Sequence, residues 1–319
     1  MRAVGAFLLL ALASCTSVPP GPPVEIDIPP GSSIRSITDS LTAHHIIAGA
    51  IWFRLRGRLN GTDRRLQPGR YRFEPGASHQ SVLDRLARGD ALVTSLTLPE
   101  GGTLWDFVKR ASRRLDLSPD SLWSALRDTT LLASYQIPGT SAEGWLLPET
   151  FSFGRYMTAR DVVRRFVGAR HDAWPADWKE RADAEDLDQV DVLALASIVE
   201  AEAQLPEELP IIAAVYRNRL RLGMPLQADP TIQYAFLVDS GTRKSRLFNR
   251  DYAYESPYNT YLHPGLPPTP IGNPSAAAIE AVLSPAQNSA LYFVARGDGG
   301  HLFANSYAEH LRNIRRVRR

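Results

Sequence analysis

Residues 192–199, Val-Leu-Ala-Leu-Ala-Ser-Ile-Val, are apolar on almost every face a helix can present, and this constrains the fold more than any other feature of the chain. Such a helix belongs in a core, not on a surface. It runs into Glu200, with Glu202 two residues further on. A carboxylate at the end of a buried helix must be paired, hydrogen-bonded or shifted upward in pKa by desolvation, and an upward shift is what a general acid requires near neutral pH. Positions two apart on a helix point about 200° from each other, so the two carboxylates cannot share one cleft. Ala196, Ser197 and Ala203 leave room on the Glu200 face. Glu200 is therefore the candidate acid and Glu202 a solvated or structural neighbour. The competing reading is a buried Glu200 bonded to Arg217 or Arg219 on the next helix.

The 319 residues are 44% hydrophobic and 22% charged, enough for a sizeable core and, at this length, two domains. Thirty-six Lys and Arg against 34 Asp and Glu leave a net charge of +2, which argues against nucleic acid as a partner. The single cysteine excludes an internal disulfide framework and Cys-based zinc sites. No His-Glu-x-x-His, phosphate loop or Gly-x-Ser-x-Gly elbow occurs, so neither a metal nor a cofactor is expected. His301 and His310 read as structural.

Near the N-terminus, Arg2 precedes a short apolar run that ends in Leu12-Ala13-Ser14-Cys15. The run is well short of the roughly 20 residues a membrane-spanning helix needs, and the pattern is a lipobox. Residues 1–14 are read as a lipoprotein signal peptide and Cys15 as the lipidated residue; the alternative is an ordinary small residue within a signal peptide. Residues 15–23 form a Pro-rich tether. The expectation is an exported protein, anchored to a membrane on its extracytoplasmic side.

Over residues 24–95 an order recurs. An alternating strand pattern at 24–28 leads to Pro30-Gly31, a capping Ser32 or Ser33, and a helix through Ile34, Ile37 and Leu41. The pattern repeats at 70–86, with Ser78 as the cap, and again at 96–108, with Thr103. A helix at 50–58 separates the first two. This predicts a compact βα module, either glycan-binding or a plain support domain.

Further on, Glu143-Gly144-Trp145 opens a loop rich in large hydrophobes that suits the wall of a cleft, and Glu143 and Trp145 are candidate sugar contacts. The acidic stretch 172–188 looks like an exposed connector. A helix from about 207 to 222 stops at Gly223. Asp229-Pro230 has the form of an N-cap and first helical position, leaving Gln227 and Thr231 free to face a ligand.

Ser197-Ile198-Val199-Glu200-Ala201-Glu202-Ala203, then Val215-Tyr216-Arg217-Asn218-Arg219-Leu220 and residues 224–231, resemble the signature of the endolytic murein transglycosylases of the YceG-like family. Residues 256–261, Gly265-Leu266-Pro267-Pro268, Asn273-Pro274, 291–295 and 300–303 resemble its later blocks in the same order, and residues 143–150 its loop. The likeness runs over residues 24–310. It implies an α+β chain: a LysM-like βα module at 24–95, then a mixed, mainly helical catalytic domain with a small sheet at 96–319. It also implies cleavage of peptidoglycan glycan strands with Glu200 as the single acid and then base, Gln227, Asn259 and Tyr261 as sugar contacts, and peptidoglycan synthases as partners. A two-carboxylate muramidase using Asp229 and a non-catalytic wall-binding lipoprotein are the alternatives. Family members are held in the membrane by an N-terminal helix, whereas this chain carries a lipobox.

Overall fold

Each recurring strand, turn and capped helix of the first hundred residues is present in the computed structural model, which describes Val18 and residues 21–318. Cys15, the lipobox and part of the Pro-rich tether lie outside the described residues. The chain divides into two compact units: residues up to Thr94 together with Phe153–Met157, and Ser95–Ser152 together with the remainder from Thr158.

In the first unit, β1 (Val24–Ile28) is followed by α1 (Ile34–Ala43), α2 (Ala50–Leu59), β2 (Gly69–Phe73) and α3 (His79–Arg88). β1 and β2 pair antiparallel, with Val24 opposite Phe73 and Ile28 opposite Gly69. Period-two alternation sends Ile26, Ile28, Tyr71 and Phe73 inward. The other face carries the exposed pairs Arg70–Asp27 and Arg72–Glu25, each worth about 0–1 kcal/mol. Stability therefore comes from the core, where Leu41, Phe53, Leu83 and Leu86 are fully buried. Ser33 and Ser78 accept from the backbone N–H of Ser36 (3.0 Å) and Ser81 (3.2 Å), starting α1 and α3 where the sequence places their caps. Gly57 lets α2 pack closely on α1, since a Cβ there would lie 2.7 Å from Ile34 Cδ1 and push that side chain aside.

The second unit holds most of β3 (Thr94–Thr97), then α4 (Leu104–Leu115), α5 (Pro119–Leu126), α6 (Thr129–Ser134), most of β4 (Thr150–Phe153), α7 (Ala159–Asp172) and α8 (Ala176–Asp183). After these come α9 (Gln189–Glu202), α10 (Leu209–Arg221), α11 (Asp229–Ser240), α12 (Ala276–Leu283), β5 (Tyr292–Ala295), β6 (His301–Ala304) and α13 (Tyr307–Val317). Helix α9 is buried without interruption from Val192 to Val199, because α8, α10, α11 and α12 surround it. Its N-terminus is held by a reciprocal Asp188–Asp191 capping box. β3 pairs with β4, and β5 with β6, so the helical unit has two small ribbons where one sheet was expected. The acidic stretch is not an exposed connector: within it, α8 docks on α12 by burying Trp178, whose Nε1 donates to Glu280 (3.0 Å). Arg181 reaches the same carboxylate.

Phe53→Ala empties the centre of the first unit's core. It should lower stability by about 3–5 kcal/mol, read as a drop in the urea midpoint.

Candidate active site

The end of α9 sends its two carboxylates to different neighbours. Glu200 turns toward the N-terminus of α12, where its Oε2 accepts from the backbone N–H (2.9 Å) and hydroxyl (2.5 Å) of Ser275, the residue that caps that helix. The small side chains on this face leave room for neighbouring segments of the protein. Ser197 Oγ accepts from the Ile271 N–H at 3.0 Å, and a Cβ on Gly101 would sit 3.3 Å from Glu200 Cγ. The buried Arg170 donates to the carbonyls of Leu146 and Pro274; burial draws its pKa down to about 10, with the Glu200 charge opposing the fall. Neither Arg217 nor Arg219 bonds Glu200: Arg217 pairs with Glu185, and Arg219 points to the other side of α9.

On that other side lies a cavity of about 290 Å³, and Glu202 is in its wall. Tyr216, on α10, donates its hydroxyl to Glu202 Oε1 at 3.0 Å. Burial pushes the Glu202 carboxyl up to about 7, Asp229 adds to the rise, and the Tyr216 hydroxyl and Arg219 oppose it. Gln227, Asp229 and Tyr261 line the same cavity. Asp229 is not the N-cap of α11; Ala228 is, and no side chain caps that end. As the first residue of the helix, Asp229 instead turns inward and accepts from Tyr261 (Oδ1, 2.7 Å) and Tyr252 (Oδ2, 3.3 Å).

A buried polar frame holds these groups. Thr231 and Thr260 share a hydroxyl contact at 3.0 Å, Thr260 Oγ1 accepts from Ala228 N–H, and Gln227 N–H donates to Thr260 O at 3.1 Å. Gln227 is thereby kept at φ 52°, the left-handed region that a non-glycine residue adopts only when its surroundings impose it. Asn259 donates to the carbonyls of Tyr252 and Tyr254 and accepts from Tyr261 N–H, which sets the tyrosine. Arg219 ties the rim together, donating to the carbonyls of Leu291, Pro225 and Leu226. His301, hydrogen-bonded through Nδ1 to Glu208 (2.6 Å), and His310 complete the far wall.

Of the residues singled out by sequence, Gln227 and Tyr261 thus meet at one cavity, with Glu202 and not with Glu200. Thr231 and Asn259 are fully buried and spend their polar atoms on the frame. Glu143 is buried elsewhere, accepting from Leu104 N–H, Tyr234 and Asn273, and burial pushes its carboxyl up to about 8. Trp145 lines a separate cavity of about 210 Å³ with Tyr135, His171 and Trp174. Sequence reasoning set Glu202 aside as a solvated or structural neighbour, took Arg219 as a candidate partner of Glu200, gave Asp229 a catalytic part only in the alternative muramidase, and assigned no role to Tyr216 or Tyr252. The usable signal was the opposition of Glu200 and Glu202, since whichever carboxylate shared a side with Gln227 and Tyr261 would identify the cleft. Among the described residues no cluster of His, Cys, Asp and Glu could hold a metal, and no helix is long and apolar enough to cross a membrane.

This helical unit, with its carboxylate-walled cavity, and the strand-and-helix unit before it belong to a known family. The YceG-like family profile matches residues 26–316, and the chain is a member of that family. It is 28% identical over 302 residues to an endolytic murein transglycosylase of Bacillus subtilis (strain 168), covering 90% of this chain and 82% of the relative. A protein of the same name from Streptococcus pneumoniae serotype 2 (strain D39 / NCTC 7466) is also 28% identical over 320 residues; the match covers 91% of this chain but only 58% of that longer relative. A crystal structure of a YceG-like protein from Listeria monocytogenes superposes with a TM-score of 0.63 at 28% identity, covering 91% of this chain and 98% of that one.

The two raised carboxyls make stability depend on pH. Both Glu202 (about 7) and Glu143 (about 8) lie above their ordinary value of 4.5, so the folded chain holds protons that the unfolded chain releases. Their contribution is complete below the unfolded value and is lost as pH rises through the folded ones. Urea midpoints should fall as pH rises from the unfolded value of 4.5 toward the folded ones, and Glu202→Gln should remove the part of the fall that is complete near 7.

Proposed function

We propose that this chain is an endolytic lytic transglycosylase that cuts the bond between N-acetylmuramic acid and N-acetylglucosamine in peptidoglycan strands, with Glu202 as its acid and base. The observation that carries this reading is Glu202 itself: a carboxyl raised to about 7 in the wall of a cavity shared with Gln227, Asp229 and Tyr261. The names of the relatives supply the substrate. Glycosidases that use water need two carboxylates, one for the leaving oxygen and one as nucleophile or base. A lytic enzyme needs one. Protonated Glu202 gives its proton to the glycosidic oxygen as the bond to muramic acid C1 breaks. As a carboxylate it then takes the proton of the C6 hydroxyl, whose oxygen attacks C1 and closes a 1,6-anhydro ring. No water is consumed, and the enzyme regains its starting protonation.

Asp229, the second carboxylate at the cavity, favours a two-carboxylate muramidase as the other reading. Each of its oxygens already accepts a phenolic proton, from Tyr261 or Tyr252, which suits a fixed charge stabilising the cationic anomeric centre better than a base that must bind water. The strand–helix–helix–strand order with which the first unit begins, before α3, supports a LysM-like module at residues 24–95. The lipobox supports export and anchoring through a lipid on Cys15, where strands are polymerised and synthases are the natural partners.

The test is mass analysis of digested glycan strands. Anhydromuramic ends, lighter by one water than reducing ends, are expected from the wild type; reducing ends would establish the muramidase. Glu202→Gln should lower the rate by about 10²-fold or more, whereas the folded fraction of Glu200→Gln should stay within about tenfold of wild type, because Glu200 is bound to Ser275. The opposite ranking would return the acid to Glu200.

A further inference from the structure

Helix α2 presents a surface that the proposed reaction leaves unused. Phe53 and Gly57 face the core, while Ile51, Trp52, Leu55 and Leu59 on the other side are 72%, 69%, 43% and 77% exposed. At about 100° per residue these four fall within one arc roughly 100° wide, with Arg54 and Arg58 on one flank and Arg56 on the other. No Asp or Glu occurs between Asp39 and Asp63. Asp39 lies 3.8 Å from Arg54, and among the described residues Arg56 and Arg58 have no ion-pair partner. A groove of about 400 Å³ runs beside Trp52, Leu55 and Leu59, with Arg56 at its edge.

Four large exposed hydrophobes bordered by guanidinium groups form the kind of face that an interfacial helix lays into an anionic bilayer, with tryptophan at headgroup depth. The chain's path supplies a second argument. A Cβ on Gly76 would lie 3.5 Å from the carbonyl oxygen of Val18, so residue 18 runs along this same unit. Cys15 is three residues earlier, within about 10 Å of extended chain. We propose that the exposed face of α2 docks on an anionic phospholipid surface, so that the first unit lies on the membrane instead of swinging on its tether. The proposal rests on the membrane-anchored reading above. A glycan is the less suitable occupant, because its hydroxylated rings and short acidic branches offer little apolar surface to cover Ile51, Trp52, Leu55 and Leu59 together.

The test uses the processed chain expressed from Thr16, which carries no lipid and retains every described residue. It should co-sediment with mixed phosphatidylglycerol and phosphatidylcholine vesicles, bind pure phosphatidylcholine far more weakly, and detach as salt is raised. The double variants Trp52→Ser with Leu59→Ser, and Arg56→Gln with Arg58→Gln, should each lose on the order of tenfold or more in vesicle affinity. Both should cleave soluble glycan strands at the wild-type rate, which separates failure of this surface from failure of the proposed activity. Failure of the wild type to bind anionic vesicles, or equal binding by the Trp52/Leu59 variant, would overturn the proposal. Loss of sacculus binding by that variant without any vesicle binding by the wild type would likewise overturn it and make the face a glycan platform.

Discussion

Burial of α9 is the constraint on which the second unit depends. Eight consecutive residues without a charged side chain cannot border water on any side without losing roughly 25 cal/mol for every Å² left uncovered, and α8, α10, α11 and α12 close around them. Where that apolar stretch ends, two carboxylates emerge on opposite sides of the helix. One meets the N-terminus of α12, whose cap supplies two donors; the other meets a tyrosine at the edge of a cavity. The same helix therefore seals the core and delivers a desolvated acid to the surface of a cleft.

Precision at that cleft comes from polar groups that spend their hydrogen bonds on the protein around it. The Thr231–Thr260 pair, Asn259 and Arg219 are buried, and their bonds run mainly to the backbone of the segments that carry Gln227, Asp229 and Tyr261. A buried guanidinium is costly unless its donors are used, and Arg219 uses them on three carbonyls while its face lies over the Tyr292 ring. The left-handed backbone of Gln227 is the strain this frame maintains. Substitution of the buried threonines would act on the cleft through geometry, not through contact with sugar.

Glu143 shows how far burial alone can mislead. Its carboxyl is shifted more than that of Glu202, but donors reach it from α4, α11 and the loop before α12, and it lines neither of the cavities that hold Glu202 and Trp145. Desolvation creates a proton donor only where a reacting atom can approach. Glu143 instead ties three segments together.

Local pattern was enough for much of this chain. The caps Ser33, Ser78 and Thr103, the period-two strands β1 and β2, the stop at Gly223 and the central burial of residues 192–199 all follow from spacing and side-chain chemistry within a few residues. The divergence of Glu200 and Glu202 was legible too, because helix geometry alone separates them. Which one borders the cavity was not, since the answer depends on where residues 226–231, 259–261 and 271–275 pack, 24 to 75 positions away in sequence. Small neighbours read as room for a substrate are filled by Ile271 and Ser275. Asp229 read as a cap is drawn instead to two tyrosines. Sequence by itself determined the elements, the core helix and the short list of carboxylates, because those depend on neighbours along the chain; only tertiary structure decided which carboxylate meets the cleft, because that depends on segments brought together across it.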